Sequence, residues 1–236
     1  MDAKKAPVRQ TWDRRLIQGV LTNSELLRGC APAQASAIAA QCWTMEAKRG
    51  EQIVSRDRRM AGIYAVAYGT VKLALRQPGG AERVVRLVQA GQTFGEASAL
   101  LGQTAPLEAF AVTACKLVVI PSAPLHGAIE RDPRIARQVV HTLGKRIIDL
   151  LAELESTSMR SGAERLAAYL SGLAPADGNG SCEIRLPAPK SVIAARLDMK
   201  KETFSRLLHG FSSRGLIAVN GSAIKLLDRA KLSEEY

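Results

Sequence analysis

From Glu46 to about Ile120 the apolar residues fall in short β-rich runs, "QIV", "IYAVAYGTVKLALR", "ERVVRLVQAGQTFGE" and "FAVTACKLVVI". Glycine or proline punctuates them at Gly50, Gly69, Pro78-Gly79-Gly80, Gly91, Gly102 and Pro106. Many short strands with frequent turns predict an antiparallel barrel or sandwich. The first fifteen residues are polar and expected to be loose. The stretch that follows, "LIQGVLTNSELLRGCAPAQASAIAAQC", reads as short helical patches separated by breakers.

After Pro133 the apolar period becomes that of a helix and holds for about 25 residues. Val139, Leu143, Ile147, Leu150 and Leu154 follow at spacings of four, four, three and four, and Val140, Ile148 and Leu151 widen the stripe. Such a stripe must be covered, by the chain's own barrel or by a second copy in a coiled-coil-like seam. Its length past any single domain favours a homodimer with those five residues in the seam. The small, polar "STSMRSG" then predicts a hinge from Met159 to Gly162.

From Ala163 to Tyr236 the pattern is helix, loop, strand ("CEIRL"), two short helices, and two short β runs about a turn at Asn220-Gly221. Two helices followed by a hairpin outline a winged helix-turn-helix. On a helix starting near Lys201, Phe204, Leu207, Leu208 and Phe211 make one apolar stripe. Glu202, Ser205, Arg206 and His209 make the opposing polar one. The preceding helix, "SVIAARL", ends at Leu197, and "DMK" is a connection of the length helix-turn-helix units use. In that arrangement the second helix enters the major groove of double-stranded DNA. Arg206 suits the O6 and N7 of guanine, Glu202 a cytosine amino group, and Ser205 a neighbouring base. Lys200 and Lys201 suit phosphates, which set register without reading sequence. A carboxylate facing DNA is repelled by phosphates unless a base donor or Arg206 pairs with it, so Glu202 favours direct readout over a mere basic patch.

Composition agrees. The 236 residues are 47% apolar, enough for two cores, and 33 Lys and Arg against 22 Asp and Glu give a net charge of +11, which biases partners toward polyanions. Four cysteines, Cys30, Cys42, Cys115 and Cys182, stand far apart with no C-x-x-C pair, as expected of reduced thiols in a cytoplasm. No apolar run reaches the roughly 18 residues of a membrane span, and the N-terminus lacks the apolar core of a signal peptide, so a cytosolic location is expected. HExxH, P-loop and G-x-G-x-x-G motifs are absent, and an enzyme is not expected.

"PAPKSVIAARLDMKKETFSRLLHGFSSRGLI", preceded by "SGAERLAAYL", resembles the DNA-binding domain of the CRP/FNR superfamily of bacterial transcription regulators. "GTVKLAL", "GQTFGE" and "ACKLVVIP" resemble that family's cyclic-nucleotide-binding-type barrel, and the likeness runs from about Leu16 to Leu232. It implies an α+β chain in three parts. Residues 1–131 hold N-terminal helices and a jelly-roll sensor β-barrel, 132–160 a dimerisation helix and hinge, and 161–236 a winged helix-turn-helix. Glu202, Ser205 and Arg206 stand at the E-x-x-S-R positions of the FNR side, and "KETFSRLLH" and "GSAIKLLDRAKL" resemble the DNR-type, nitric-oxide-responsive branch. The resemblance implies a homodimeric activator on an inverted repeat like TTGAT-N4-ATCAA, with RNA polymerase as partner.

Members that bind cyclic AMP carry Gly-Glu and, about ten residues on, an Arg-Ser pair for the ribose and phosphate. Here Gly95 and Glu96 are followed by "GQTAPLEA", and no Lys or Arg occurs from Leu87 to Cys115, so cyclic AMP is not expected. Cys30 and Cys42 do not form the tight N-terminal group of oxygen-sensing relatives, and Cys115 stands away from the family's fourth ligand position, so no iron–sulfur cluster is expected. DNR-type relatives use haem. Among three histidines His209 lies in the recognition helix, which leaves His141 as the candidate axial ligand ahead of His126. A thiol switch at Cys30, Cys42 or Cys115 is the other open input. The rival reading is a constitutive DNA-binding protein whose barrel holds no ligand.

Overall fold

The computed structural model describes residues 9–10, 12–76, 82–159, 161–175, 181–228 and 231–232. The expected turn at Pro78-Gly79-Gly80 lies outside them. The described residues fall into two compact units, one within Met1–Leu75 and Val85–Asp149, the other within Arg76–Val84 and Leu150–Tyr236.

The first unit opens with β1 (Arg9–Gln10), α1 (Arg14–Asn23) and α2 (Pro32–Ala39). β1 pairs with Thr44 and Met45, so the N-terminal stretch is tied down here rather than loose. There follow β2 (Trp43–Ala47), β3 (Gln52–Val54), β4 (Ile63–Tyr68), β5 (Thr70–Arg76), β6 (Glu82–Gln89), β7 (Thr93–Phe94), α3 (Glu96–Leu101), β8 (Glu108–Ala111) and β9 (Cys115–Ile120). α4 (Ser122–Arg131) and α5 (Pro133–Met159) come next. The strands make two antiparallel sheets, ordered β1-β2-β9-β4-β7 and β3-β8-β5-β6, a sandwich of the expected barrel type.

Strands β4 and β9 are apolar on both faces because both faces are covered. Tyr64, Val66, Leu117 and Val119 point into the core between the sheets, while Ile63, Ala65, Val118 and Ile120 alternate with them and meet Leu21, Leu125 and Ile135 of the flanking helices. Where β4 enters the sheet the chain passes very close to its neighbour. A Cβ on Gly62 would lie 2.2 Å from the Ile120 carbonyl oxygen. Gly62→Ala is therefore expected to destabilise the sandwich by about 1–3 kcal/mol, read as a lower midpoint in chemical denaturation.

The second unit continues with α6 (Gly162–Gly172), β10 (Cys182–Arg185), α7 (Lys190–Arg196), α8 (Lys201–Ser213), β11 (Ile217–Asn220) and β12 (Ala223–Leu226). α6 starts on a capping box. Glu164 N–H donates to Ser161 Oγ, and the Glu164 carboxylate accepts from Ser161 N–H. Arg160 of the expected hinge is outside the described residues. The sheet is β10-β12-β11, all antiparallel. Asn220 pairs with Ala223, so the hairpin turn is Gly221-Ser222, one residue later than expected. Gly221, at φ 60°, supplies the left-handed first position that a two-residue turn demands. Two helices escaped the sequence reading: α3 is only six residues long, and α4 precedes the Pro133 start of the long periodic pattern.

Candidate functional site

α8 is positioned by its apolar stripe. Phe204, Leu208 and Phe211 are buried in a core with Leu166 and Leu170 of α6, Ile193 of α7, and Ile217 and Ile224 of the hairpin. The turn ahead of it is pinned. Arg165 Nε donates to the Leu197 carbonyl at 2.9 Å, and Met199 N–H to the Ala194 carbonyl at 3.0 Å. Asp198 takes the left-handed conformation, φ 50°, which a short polar side chain tolerates.

With that face buried, the other is open. Lys200, Lys201, Glu202, Ser205, Arg206 and His209 are all exposed on α8 and its N-cap. Glu202 and Arg206, one turn apart, form no ion pair with each other or with any described residue, so the guanidinium's forked donors stay available. Lys190, half-buried at the start of α7, and Lys225, exposed on the hairpin, are cations of the same unit that sequence reasoning did not single out. Neither lies in a periodic pattern that would have flagged it.

The stripe on α5 divides. Val139 is buried with Ile135 in the unit's own core and the half-buried Leu143 packs against it, so intrachain packing already covers Val139 and part of Leu143. Ile147, Leu150 and Leu154 are 59%, 48% and 59% exposed, joined by Val140, Ile148 and Leu151. The same periodic stripe thus serves the chain's own core first and lies bare beyond it. Within the second unit Glu153 of α5 lies 3.7 Å from Arg196 of α7. Burial pushes the Glu153 carboxyl up, against the pull of Arg196 and Arg83.

Inside the first unit the Gly95-Glu96 carboxylate is already bonded. Glu96 is buried, and its Oε1 accepts from the Thr93 hydroxyl and, at 3.1 Å, from Arg146 Nη2 of α5. The same Nη2 donates to Glu25 and, at 2.8 Å, to the Thr93 carbonyl, while Arg86 donates to Glu25 at 3.4 Å. Burial alone raises the Glu25 carboxyl, but donation from Thr93 N–H and the charge of Arg146 outweigh it, so the group is held below its usual 4.5. Arg86 is pushed down to about 10, chiefly by burial and then by Arg146.

His141 is exposed and lines a polar cavity with Lys145 and Asp149; His126 Nε2 lies 3.2 Å from the Leu100 carbonyl. Burial pushes the Cys30, Cys42 and Cys115 thiols up, Cys42 to about 12, which keeps them protonated and poorly nucleophilic. No cluster of three His, Cys, Asp or Glu suited to a metal ion occurs among the described residues. No described helix is long and apolar enough to cross a membrane.

A β-sandwich with a buried Gly-Glu turn, a long helix and a winged helix-turn-helix with an open polar recognition face define the class of two-part DNA-binding transcription regulators. Comparison with known proteins agrees. A model of the cyclic nucleotide-binding domain matches residues 44–132, and one of the Crp-like helix-turn-helix domain matches residues 164–235. A candidate cyclic nucleotide binding protein from Ruegeria pomeroyi has a crystal structure 32% identical to this chain, with a TM-score of 0.60 over 95% of this chain and 98% of that one. A Thermus thermophilus transcriptional regulator of the CRP/FNR family is 25% identical, with a TM-score of 0.62 over 81% of this chain and 98% of that one. The transcriptional activator protein anr of Pseudomonas aeruginosa is 26% identical over 78% of this chain and 77% of its own. The chain belongs to the CRP/FNR family of DNA-binding transcription regulators.

Proposed function

We propose that the protein is a homodimeric transcription activator that reads an inverted repeat resembling TTGAT-N4-ATCAA and recruits RNA polymerase. Residues 1–131 receive an input, 132–160 join two copies and carry the hinge, and 161–236 read DNA. The observation that carries this reading is α8 itself: Phe204, Leu208 and Phe211 hold it from behind while Glu202, Ser205, Arg206 and His209 face outward with no ion pair among the described residues. Two such helices must lie about 34 Å apart to enter successive major grooves, so any input that changes their separation changes operator affinity. The input acts through its different affinity for the two arrangements.

Arg206→Ala is expected to weaken binding to the symmetric operator by about 1–3 kcal/mol per half-site while barely changing affinity for scrambled duplex. Lys201→Ala is expected to weaken both alike and flatten the salt dependence. Fluorescence anisotropy with the two duplexes at several salt concentrations measures this. Equal losses from Arg206→Ala on both duplexes would overturn the assignment.

For the input, the DNR-type reading points to haem at His141. The residues there do not fit it: the wall is charged, and the cavity, about 250 Å³, is below the roughly 300–1,000 Å³ that drug-sized ligands occupy. A haem is larger still, and no step is assigned to it. Cyclic AMP lacks its phosphate partner on the segment after Glu96. The rival, a constitutive regulator with a ligand-free barrel, is favoured by one observation, the intrachain bonding of Glu96 to Arg146 and Thr93.

A further inference from the structure

A cavity of about 250 Å³ in the first unit is walled by α5 and the segment around Glu25. Four permanent cations line it, Arg28, Arg86, Lys145 and Arg146, against two carboxylates, Glu25 and Asp149. Arg86 and Arg146 are held by Glu25, but Arg28 and Lys145 are exposed and pair with no carboxylate among the described residues. Arg146 keeps a further donor in reserve, its buried Nε having no acceptor among the described residues. The wall is preformed. Gln138 Nε2 and Thr142 Oγ1, both on α5, donate to the Glu25 carbonyl at 2.5 and 3.2 Å and hold the helix to the segment opposite. Neither Gly95 nor Glu96 lines this space, although Arg146 of its wall bonds to Glu96 behind it.

Unpaired cations around a small, rigid, polar cavity are a site for clustered anionic oxygens, because guanidinium and ammonium donors bind them with charge-assisted hydrogen bonds. We propose that this cavity binds a small polyanionic metabolite, phosphorylated or polycarboxylic, through Arg28 and Lys145. Its size suits a ligand smaller than a typical drug. The binding goes beyond the DNA-reading function and does not depend on it.

The experiment is isothermal titration calorimetry of the full chain without DNA, at fixed ionic strength, with pyrophosphate in one arm and citrate in the other. One saturable site per chain is expected for at least one of the two, and the arm that binds tells phosphate from carboxylate chemistry. Arg28→Ala and Lys145→Ala should each weaken it about tenfold or more, since a hydrogen bond to a charged group is lost. Lys48→Ala, an exposed cation outside the cavity, should leave it unchanged. Both cavity variants remove exposed side chains that form no ion pair among the described residues, and their thermal melts should match the parent protein. Absence of saturable heat in both arms, or undiminished affinity in the Arg28→Ala/Lys145→Ala double variant, overturns the proposal. A failure to bind operator DNA would leave these titrations unaffected and would count only against the regulator reading.

Discussion

Leu150→Asp combined with Leu154→Asp is expected to turn the protein into a monomer and to lower its affinity for a symmetric operator by roughly 10²–10⁴-fold, the advantage that linking two binding events provides. Both leucines are about half exposed in the single chain, so the substitutions cost its own core little. In a two-fold seam each change occurs twice. Four leucines, each with about half of its surface left to bury and so roughly 1 kcal/mol to contribute, become four carboxylates that cannot be buried unpaired. Sedimentation velocity gives the oligomeric state, and anisotropy on full and half operators gives the affinity. Circular dichroism should remain that of the parent, and binding to an isolated half-site should persist, because α8 is untouched. A variant that stays dimeric, or a parent protein that is monomeric, would remove the seam from the reading.

The second large effect lies in the buried charge network of the first unit. Arg146→Met is expected to destabilise this unit by about 3–5 kcal/mol, since removing one partner leaves Glu25 and Glu96 short of compensation away from water. Glu96 has only 5% of its side chain exposed and Arg146 only 18%. Adding Glu96→Gln to Arg146→Met should recover part of the loss, because the orphaned charge is then gone; urea denaturation of the single and double variants measures the coupling. The pH dependence has a definite sign. Glu25 is depressed in the folded protein, so its contribution is present above its unfolded value of 4.5 and is lost as pH falls through the lower folded value. The gap in melting temperature between parent and Arg146→Met should therefore be wide at neutral pH and close on acidification below about 4.5. A gap of constant width would show that the network contributes packing alone.

Both expectations depend on one helix performing two tasks. Along α5 the residues Ile135, Val139 and Leu143 serve the core, Arg146 reaches Glu25 and Glu96, and Ile147, Leu150 and Leu154 remain bare. That the seam residues nearest the barrel also pack within the chain was not legible, for a physical reason. A 3.6-residue period records only that a face is covered, and a core and a second copy leave the same pattern.

Elsewhere the pattern was informative in proportion to how local the deciding contacts are. The two faces of α8 were legible because Phe204, Leu208 and Phe211 against Glu202, Ser205, Arg206 and His209 differ within four turns of one helix. The hairpin was legible from Asn220-Gly221, although its turn fell one residue later, since a left-handed glycine suits more than one turn register. α3 was not legible, because six residues are too short to display a period.

The amino-acid order by itself determined the element types, the sandwich-then-helix-then-winged-helix sequence, and the outward set of polar residues on the recognition helix. Each follows from side-chain period and turn chemistry over a few residues. Only the folded chain decided which strands neighbour one another, that Val139 belongs to the core, and that Arg146 meets Glu25 across 121 positions and Glu96 across 50. It alone placed Arg28 beside Lys145 around an anion-sized cavity. Charges so far apart in the chain have no local signature, and their partners are set by how two sheets and a helix close on each other.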